Sequence, residues 1–140
     1  MMYLLDTNVI SELRKASRGR ADLHVKAWAE GVDAATLFLS AITVLELELG
    51  TLLVERRDPA QGAVLRAWLE NHLLPSFAGR ILVVDIPVAR KGALLQVPDP
   101  RSYRDSLIAA TALVHGMTVV TRNVSDFDRT GVAIINPWRP

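Results

Sequence analysis

The amino-acid sequence predicts an α/β fold with a central, mostly parallel, five-stranded sheet. Five short segments are continuously apolar rather than alternating, as is typical of strands buried on both faces of a parallel sheet. Segments with helical periodicity separate them, and this alternation indicates helices on both faces. The predicted strands cover residues 2–5, 36–40, 81–84, 117–121 and 132–135.

The first predicted strand runs directly into Asp6, which could serve as the N-cap of a helix over residues 7–16. Apolar periodicity predicts further helices near residues 20–30, 41–57, 60–74, 87–96 and 102–115. Their boundaries are supported by turn signals at Asp58-Pro59, Ala78-Gly79, Pro98-Asp99-Pro100 and Gly116. We find no internal repeat or linker, and 140 residues are a common length for one domain, so a single domain over residues 1–140 is expected.

Composition excludes several classes of protein. Cysteine is absent, which rules out disulfides, thiolate nucleophiles and cysteine-based zinc sites. The apolar runs are far shorter than the ~20 residues of a membrane span, and residues 1–10 lack a basic signal-peptide region, so we expect a cytoplasmic protein. Net charge is only +1, although thirteen of the sixteen basic residues are arginine, so any phosphate binding must be local.

Four acidic residues are expected at one end of the sheet. In open α/β sheets, ligands bind at the carboxyl ends of the strands. Asp6 ends the first strand, and Asp126 follows the 117–121 strand within TRNVSDF. Glu46 lies early in the helix after the second strand, and Asp105 lies in the first turn of the 102–115 helix. The sequence therefore predicts an acidic cluster there.

Helix periodicity predicts where two of these acids point. At 3.6 residues per turn, Ile42, Leu45, Leu49 and Leu53 form one stripe that includes Glu46, whereas Glu48 points elsewhere. Asp105 likewise continues the line of Ile108, Ala109 and Ala112 on a helix that is apolar nearly all round.

A carboxylate on a buried face needs a partner. No Lys or Arg lies on the same helix faces, so we expect a shared cation. Oxygen ligands without His or Cys favour Mg²⁺ or Mn²⁺ over zinc.

Each acid also has a purely structural interpretation. Asp6 could be an N-cap, and Asp126 could close an Asx-turn. Thr43-x-x-Glu46 and Ser102-x-x-Asp105 match the capping-box pattern.

Several neighbouring polar residues have two interpretations each. Asn8 could hydrogen-bond a ligand water or satisfy backbone groups, and Thr121 could orient a carboxylate or act as a cap. Arg122 could meet a phosphate or remain solvated, and Asp128 could replace or assist Asp126. Trp138 is interpreted as a packing residue.

Four segments carry a family resemblance. LLDTNVISEL, SAITVLELELG, RDSLIAATAL and TRNVSDF followed by INPW resemble, in order and spacing, the motifs of PIN-domain ribonucleases, specifically the VapC/FitB-like toxins of type II toxin–antitoxin systems. The resemblance covers nearly the whole chain and implies a PIN-like α/β/α sandwich. Ser106 departs from the alanine common in the family, and residues 55–100 carry no motif.

The resemblance implies a function and a set of site residues. Asp6, Glu46, Asp105 and Asp126 match the acidic quartet, and Asn8 and Thr121 match positions that often support it. The implied activity is metal-dependent endoribonuclease action on RNA, with a cognate antitoxin and a homodimer as partners. Asp6, Asp105 and Asp126 are the expected metal ligands. The number of ions and direct ligation by Glu46 stay open.

Two rival functions are less consistent with these residues. Phosphotransferases that use D-x-D place a second aspartate where this chain has Asn8. The other rival is a PIN-like module that only binds RNA or a partner, but all four acids are present.

Overall fold

The chain forms a five-stranded sheet whose order is β3-β2-β1-β4-β5 in a computed structural model that describes all 140 residues. Every neighbouring pair of strands is parallel, whereas the sequence predicted a mostly parallel sheet. The strands are β1 (Tyr3–Leu5), β2 (Leu37–Ser40), β3 (Ile81–Leu82), β4 (Thr118–Val120) and β5 (Ile134–Ile135).

Seven α-helices connect the strands; six of them correspond to the six predicted helices, and the additional one, Leu74–Ser76, was not predicted as a separate helix. The predicted 60–74 helix ends early as regular α-helix, because Leu69–Leu73 form a π-helical turn. Short 3₁₀ turns cover Lys15–Arg18, Ala34–Thr36 and Val124–Phe127. The helices are α1 (Thr7–Arg14), α2 (Leu23–Glu30), α3 (Ala41–Arg57), α4 (Pro59–Trp68), α5 (Leu74–Ser76), α6 (Ile86–Leu94) and α7 (Tyr103–His115).

Two hydrophobic clusters lie on opposite faces of the sheet. Successive strand residues point to opposite faces, so Leu5 and Val120 belong to one cluster and Leu4 and Val119 to the other. The first cluster includes α1, α3 and the π-helical turn, and the second includes α7. This is the α/β/α arrangement that the resemblance implied.

No helix is both long and apolar enough to cross a membrane.

The predicted buried stripe of α3 is wrong. Leu45, Leu49 and Leu53 are 50%, 38% and 54% exposed. The buried face instead carries Thr43, Leu47 and Thr51. The exposed Leu45 and the buried Leu47 are two positions apart, so their side chains point about 200° apart around the helix axis. The small threonines allow close packing, and the Thr51 hydroxyl donates to the Leu47 carbonyl, so its burial leaves no unpaired polar group.

Helices α3 and α4 pack tightly against each other. Arg66 of α4 bridges Glu48 and Glu55 of α3, with N–O distances of 2.6 and 2.8 Å. The hydrogen bonds that Arg66 donates to Glu55 lower the pKa of that carboxyl. Gly62 is buried in the same contact, where a Cβ atom would lie 2.4 Å from the Cα of Glu55. Glu48 therefore joins two helices and points away from the sheet edge, as predicted.

The strand order creates a crevice between β1 and β4. The chain builds the sheet outward from β1 to β2 and β3, then returns to place β4 on the other side of β1. At such a topological switch point the connections leave the two neighbouring strands in opposite directions, so the carboxyl ends stay open for a ligand.

Candidate active site

Asp6 lies at the carboxyl end of β1, beside this crevice. It is the N-cap residue of α1, and its Oδ1 accepts a hydrogen bond from the Thr7 backbone amide at 2.8 Å. Its Oδ2 accepts from the Thr121 hydroxyl at 2.8 Å and from the Asn8 side-chain amide at 3.3 Å. Asp6 is therefore both a helix cap and a fixed carboxylate at the switch point.

Burial sets the protonation of Asp6. The side chain is only 6% exposed, and burial raises its pKa above the usual value. The hydrogen bonds from Thr121, Thr7 and Asn8 oppose this rise, whereas the charge of Asp126 adds to it. The three donors thus partly offset the cost of burying a negative charge.

Thr121 and Asn8 connect the segments that follow β1 and β4. The Thr121 Oγ1 atom accepts hydrogen bonds from the Asn8 side chain at 3.2 Å and from the Asn123 amide at 3.0 Å while donating to Asp6. The Asn8 Oδ1 atom accepts from the Arg122 amide at 3.2 Å. Both residues therefore orient Asp6, and Asn8 also satisfies a backbone group, as its structural interpretation predicted.

Glu46 was predicted to point inward as part of the leucine stripe of α3, but that stripe is exposed. Helix α3 begins after Ser40, whose hydroxyl accepts from the Ile42 amide, so Thr43 and Glu46 do not form a capping box. Glu46 borders the buried threonine face. Its Oε1 accepts from the Thr7 hydroxyl at 2.9 Å.

Basic side chains reach these acids from other parts of the chain, so a cation is not the only partner available to them. Arg104 approaches Glu46 from α7, with 3.7 Å between its Nη1 and the Glu46 Oε2. Arg101 also lowers the pKa of Asp105, although other effects outweigh it. Both arginines lie outside α3, so the residue pattern along α3 does not indicate them.

The pKa of Asp105 lies well above the usual value of an aspartate. Asp105 follows the N-cap Ser102, whose hydroxyl accepts from its amide at 3.5 Å, but the carboxylate itself makes no hydrogen bond. Burial raises its pKa to about 6, and the charges of Asp126, Asp6 and Glu46 contribute in that order. The carboxylate thus experiences the field of all three other acids.

Asp126 lies in the 3₁₀ turn Val124–Phe127, which buried Phe127 anchors in the core. Its side chain is exposed and makes no hydrogen bond, so there is no Asx-turn at this residue. Asp128 is also exposed, but it is not among the charges that shift Asp6 or Asp105. Of the two aspartates, Asp126 is the one that faces the cluster.

All four acids supply carboxylate oxygens, the donors that hard divalent cations prefer. The pKa of Asp105 is raised first by burial and then by the charges of Asp126, Asp6 and Glu46, and Arg101 offsets this only in part. No three acidic or imidazole groups stand close enough together to hold an ion directly. This spacing is compatible with Mg²⁺, which usually keeps several waters and uses one or two protein carboxylates.

Two site residues were absent from the predicted set. Thr7 holds Glu46, and Arg104 pairs with it. Each is the chain neighbour of a predicted acid, Asp6 or Asp105, and that adjacency was the only signal in the sequence. The contacts themselves join residues 39 and 58 positions apart, which periodicity within one helix does not report.

Comparison with known proteins identifies the family. The PIN domain model matches residues 3–133. The chain is 43% identical to VapC ribonuclease Y4jK of Sinorhizobium fredii, with 99% of each chain covered. It is 42% identical to toxin FitB of Neisseria gonorrhoeae, covering 98% of this chain and 99% of FitB.

A solved structure agrees with this match. The crystal structure of FitAcB from Neisseria gonorrhoeae superposes with a TM-score of 0.88 at 41% identity, covering 99% of this chain and all of that one. The expected fold is thereby confirmed, and the chain belongs to the PIN domain family.

Proposed function

We propose that this protein is a metal-dependent endoribonuclease and the toxin of a type II toxin–antitoxin pair. The observation that supports the proposal is that the charges of Asp6, Glu46 and Asp126 all act on Asp105 near the carboxyl ends of the strands. Membership of the PIN family supports it, since PIN-domain ribonucleases generally depend on divalent metal ions. The names of relatives as a ribonuclease and a toxin support it further.

Asp6, Asp105 and Asp126 are the proposed ligands of Mg²⁺ or Mn²⁺, some of them through water. When bound, a divalent ion lowers the pKa of a coordinated water and neutralises charge on a phosphodiester. Glu46, which accepts a hydrogen bond from Thr7, would orient the attacking water or join the ligands. Asp105 must be ionised to act, which its pKa of about 6 allows at neutral pH.

The proposed assembly includes other molecules. The substrate is RNA, and a cognate antitoxin controls the free enzyme in the cytoplasm. We also propose a homodimer of single PIN domains over residues 1–140. The exposed leucines of α3 supply apolar surface of the kind that marks protein contacts. Light scattering of the purified protein tests the dimer.

RNA cleavage with and without chelator tests the activity. Cleavage is expected with Mg²⁺ or Mn²⁺ and not in excess EDTA, because the site offers only hard oxygen ligands. Asp6→Asn and Asp126→Asn should each reduce the rate by orders of magnitude with native circular dichroism. Asp128→Asn is the matched control and should cut normally. Activity that survives EDTA, or near-normal cutting by Asp6→Asn, would refute the metal mechanism.

Growth of a bacterial host tests the toxin role. Expression of the wild type should slow growth, and coexpression of the antitoxin should restore it. Asp6→Asn should be harmless, since it lacks the proposed nuclease activity. Equal arrest by both forms would indicate toxicity by binding rather than by cleavage, as the non-enzymatic alternative requires.

A further inference from the structure

A polar cavity of about 540 Å³ opens beside the acidic cluster. Its volume lies within the roughly 300–1,000 Å³ range of ligand pockets. Two segments of the chain supply most of its wall: the segment after β4 and the C-terminal turn. The lining residues are Asp22, Arg122, Asn123, Val124, Ser125, Asn136, Trp138 and Arg139.

Arg122 is held in this cavity by an aromatic ring. Its guanidinium carbon lies 5.4 Å from the centre of the Trp138 ring, in a cation–π contact. Trp138 packs against the hydrophobic cluster that contains Leu5, so the ring is a fixed support. The Trp138 amide donates to the Asn136 Oδ1 at 3.0 Å, which fixes the turn.

The positive charges of the cavity have no acidic partners. Neither Arg122 nor Arg139 forms an ion pair with a carboxylate. The single acid in the wall, Asp22, is engaged elsewhere, because its Oδ1 accepts from the amides of His24 and Val25 at the start of α2. The cavity therefore presents unpaired guanidinium groups, the fork-shaped donors that suit phosphate.

The cavity adjoins the carboxylates directly. The Arg122 amide donates to Asn8, whose side chain donates to Asp6. Ser125, in the wall, is the chain neighbour of Asp126. A nucleotide in the cavity would thus be next to one whose phosphate meets the acidic cluster.

We propose that Arg122 and Arg139 bind an RNA phosphate neighbouring the scissile one, and that Trp138 is a positioning residue that orients Arg122. This proposal rests on the function proposed above and adds a substrate subsite to it. These two arginines would also allow a chain of net charge +1 to bind RNA, because they concentrate positive charge at one place on the surface.

The salt dependence of RNA binding tests the arginines. Fluorescence anisotropy with a short single-stranded RNA is measured on the uncleaving Asp6→Asn protein. Arg122→Gln and Arg139→Gln should each raise Kd by about tenfold, the loss of one charge-assisted hydrogen bond. Each should also reduce the slope of log Kd against log salt, by up to ~0.7, the value for one phosphate contact on a single strand.

Arg90→Gln is the matched control, because Arg90 is an exposed arginine of α6 without an ion-pair partner and outside the cavity. It should leave both Kd and slope unchanged. An unchanged slope in the two cavity variants, or an equal loss in Arg90→Gln, would overturn the subsite.

Rescue and coupling test the role of Trp138. Trp138→Leu should reproduce the loss seen in Arg122→Gln, whereas Trp138→Phe, which keeps an aromatic face, should bind like the parent protein. In the Arg122→Gln background Trp138→Leu should have no further effect on binding. If the losses of RNA affinity from Trp138→Leu and Arg122→Gln are additive, the positioning role is overturned. If Trp138→Leu does not fold, Trp138→Phe decides the question, because weaker RNA binding than in the parent protein would also overturn that role.

Kinetics on the protein with Asp6 intact separate the two proposals. If the wild type cleaves RNA, Arg122→Gln should raise KM with little change in kcat, because the contact is made equally in ground and transition states. Normal KM in that variant would refute the subsite alone. A wild type that binds RNA with the expected salt slope but does not cleave it would refute the enzyme and retain the subsite.

Discussion

At the scale of single residues, the cap and site interpretations of the acids do not exclude each other. Asp6 caps α1 with one oxygen and faces Thr121 and Asn8 with the other. Asp105 lies in the first turn of α7 but makes no capping hydrogen bond with its carboxylate. Its ionisation is therefore governed by burial and by the other acids, which gives a testable sign.

Neutralising Asp105 should stabilise the metal-free protein. We expect Asp105→Asn to raise Tm in EDTA at pH 7–8, because it removes a half-buried charge repelled by three carboxylates. The folded-state pKa of about 6 exceeds the ordinary 3.8, so the folded form holds more protons between these values. Wild-type stability should then fall as pH rises through that window and stay low above it.

The advantage of the variant should therefore vanish below about pH 4, where the wild-type carboxyl is protonated in both states. Asp99→Asn is the matched control, since Asp99 is exposed and only paired with exposed Arg129. A lower Tm for Asp105→Asn than for wild type at pH 7–8 would show that the favourable helix dipole at its position outweighs the repulsion.

At the scale of elements, the contact between α3 and α4 depends on a missing side chain. Gly62 lets the helices approach until a Cβ atom would lie 2.8 Å from the Glu55 backbone nitrogen. Gly50, within α3, has no atom within 4 Å of such a Cβ. Both glycines lie within helices, but only Gly62 is closely packed against another helix. Comparing the same substitution at the two positions therefore distinguishes the effect of helix propensity from that of a steric clash.

Gly62→Ala should destabilise the protein, whereas Gly50→Ala should stabilise it. Alanine gains up to about 1 kcal/mol over glycine inside a helix. At Gly62 the forced separation of two helices should cost about 1–3 kcal/mol and exceed that gain. Urea unfolding followed by circular dichroism measures both free energies of unfolding. A stabilising Gly62→Ala would mean that α4 can shift without losing its contact.

At the scale of the whole molecule, the candidate site joins parts of the chain that are far apart in sequence. Asp6 and Asp126 are 120 positions apart, and Glu46 and Asp105 come from helices on different parts of the chain. Folding brings these like charges near one another, since the charges of Asp126, Asp6 and Glu46 add to the burial that raises the pKa of Asp105. A cation that binds them is therefore linked to global stability rather than to one local turn.

Mg²⁺ should raise Tm of the wild type in proportion to occupancy. A ligand that binds only the folded state adds about 2.7 kcal/mol at a hundred times its Kd. The increase should be much smaller for Asp6→Asn, which lacks a central ligand. Thermal unfolding in Mg²⁺ is compared with unfolding in KCl of equal ionic strength. Equal shifts in both proteins would assign the effect to general screening.

The sequence by itself determined most of the elements and indicated which acids are candidates for the site. Continuous apolar strands and turn signals report burial and chain reversal locally, so the elements were predicted to within a few residues. Asp6 and Asp126 follow predicted strands, and the carboxyl ends of parallel strands meet at one edge. Their neighbourhood therefore followed from topology, without knowledge of any side-chain contact.

Only the tertiary structure decided which face of α3 is buried and which charges meet across the site. Leucines line one side of α3 and threonines another, and periodicity alone favours burying the leucines. Packing against the sheet selects the threonines instead, because their small volume permits close approach and their hydroxyls find partners. The Glu46–Arg104 pair and the Arg122–Trp138 contact join distant residues, so they exist only once the chain has closed around the sheet.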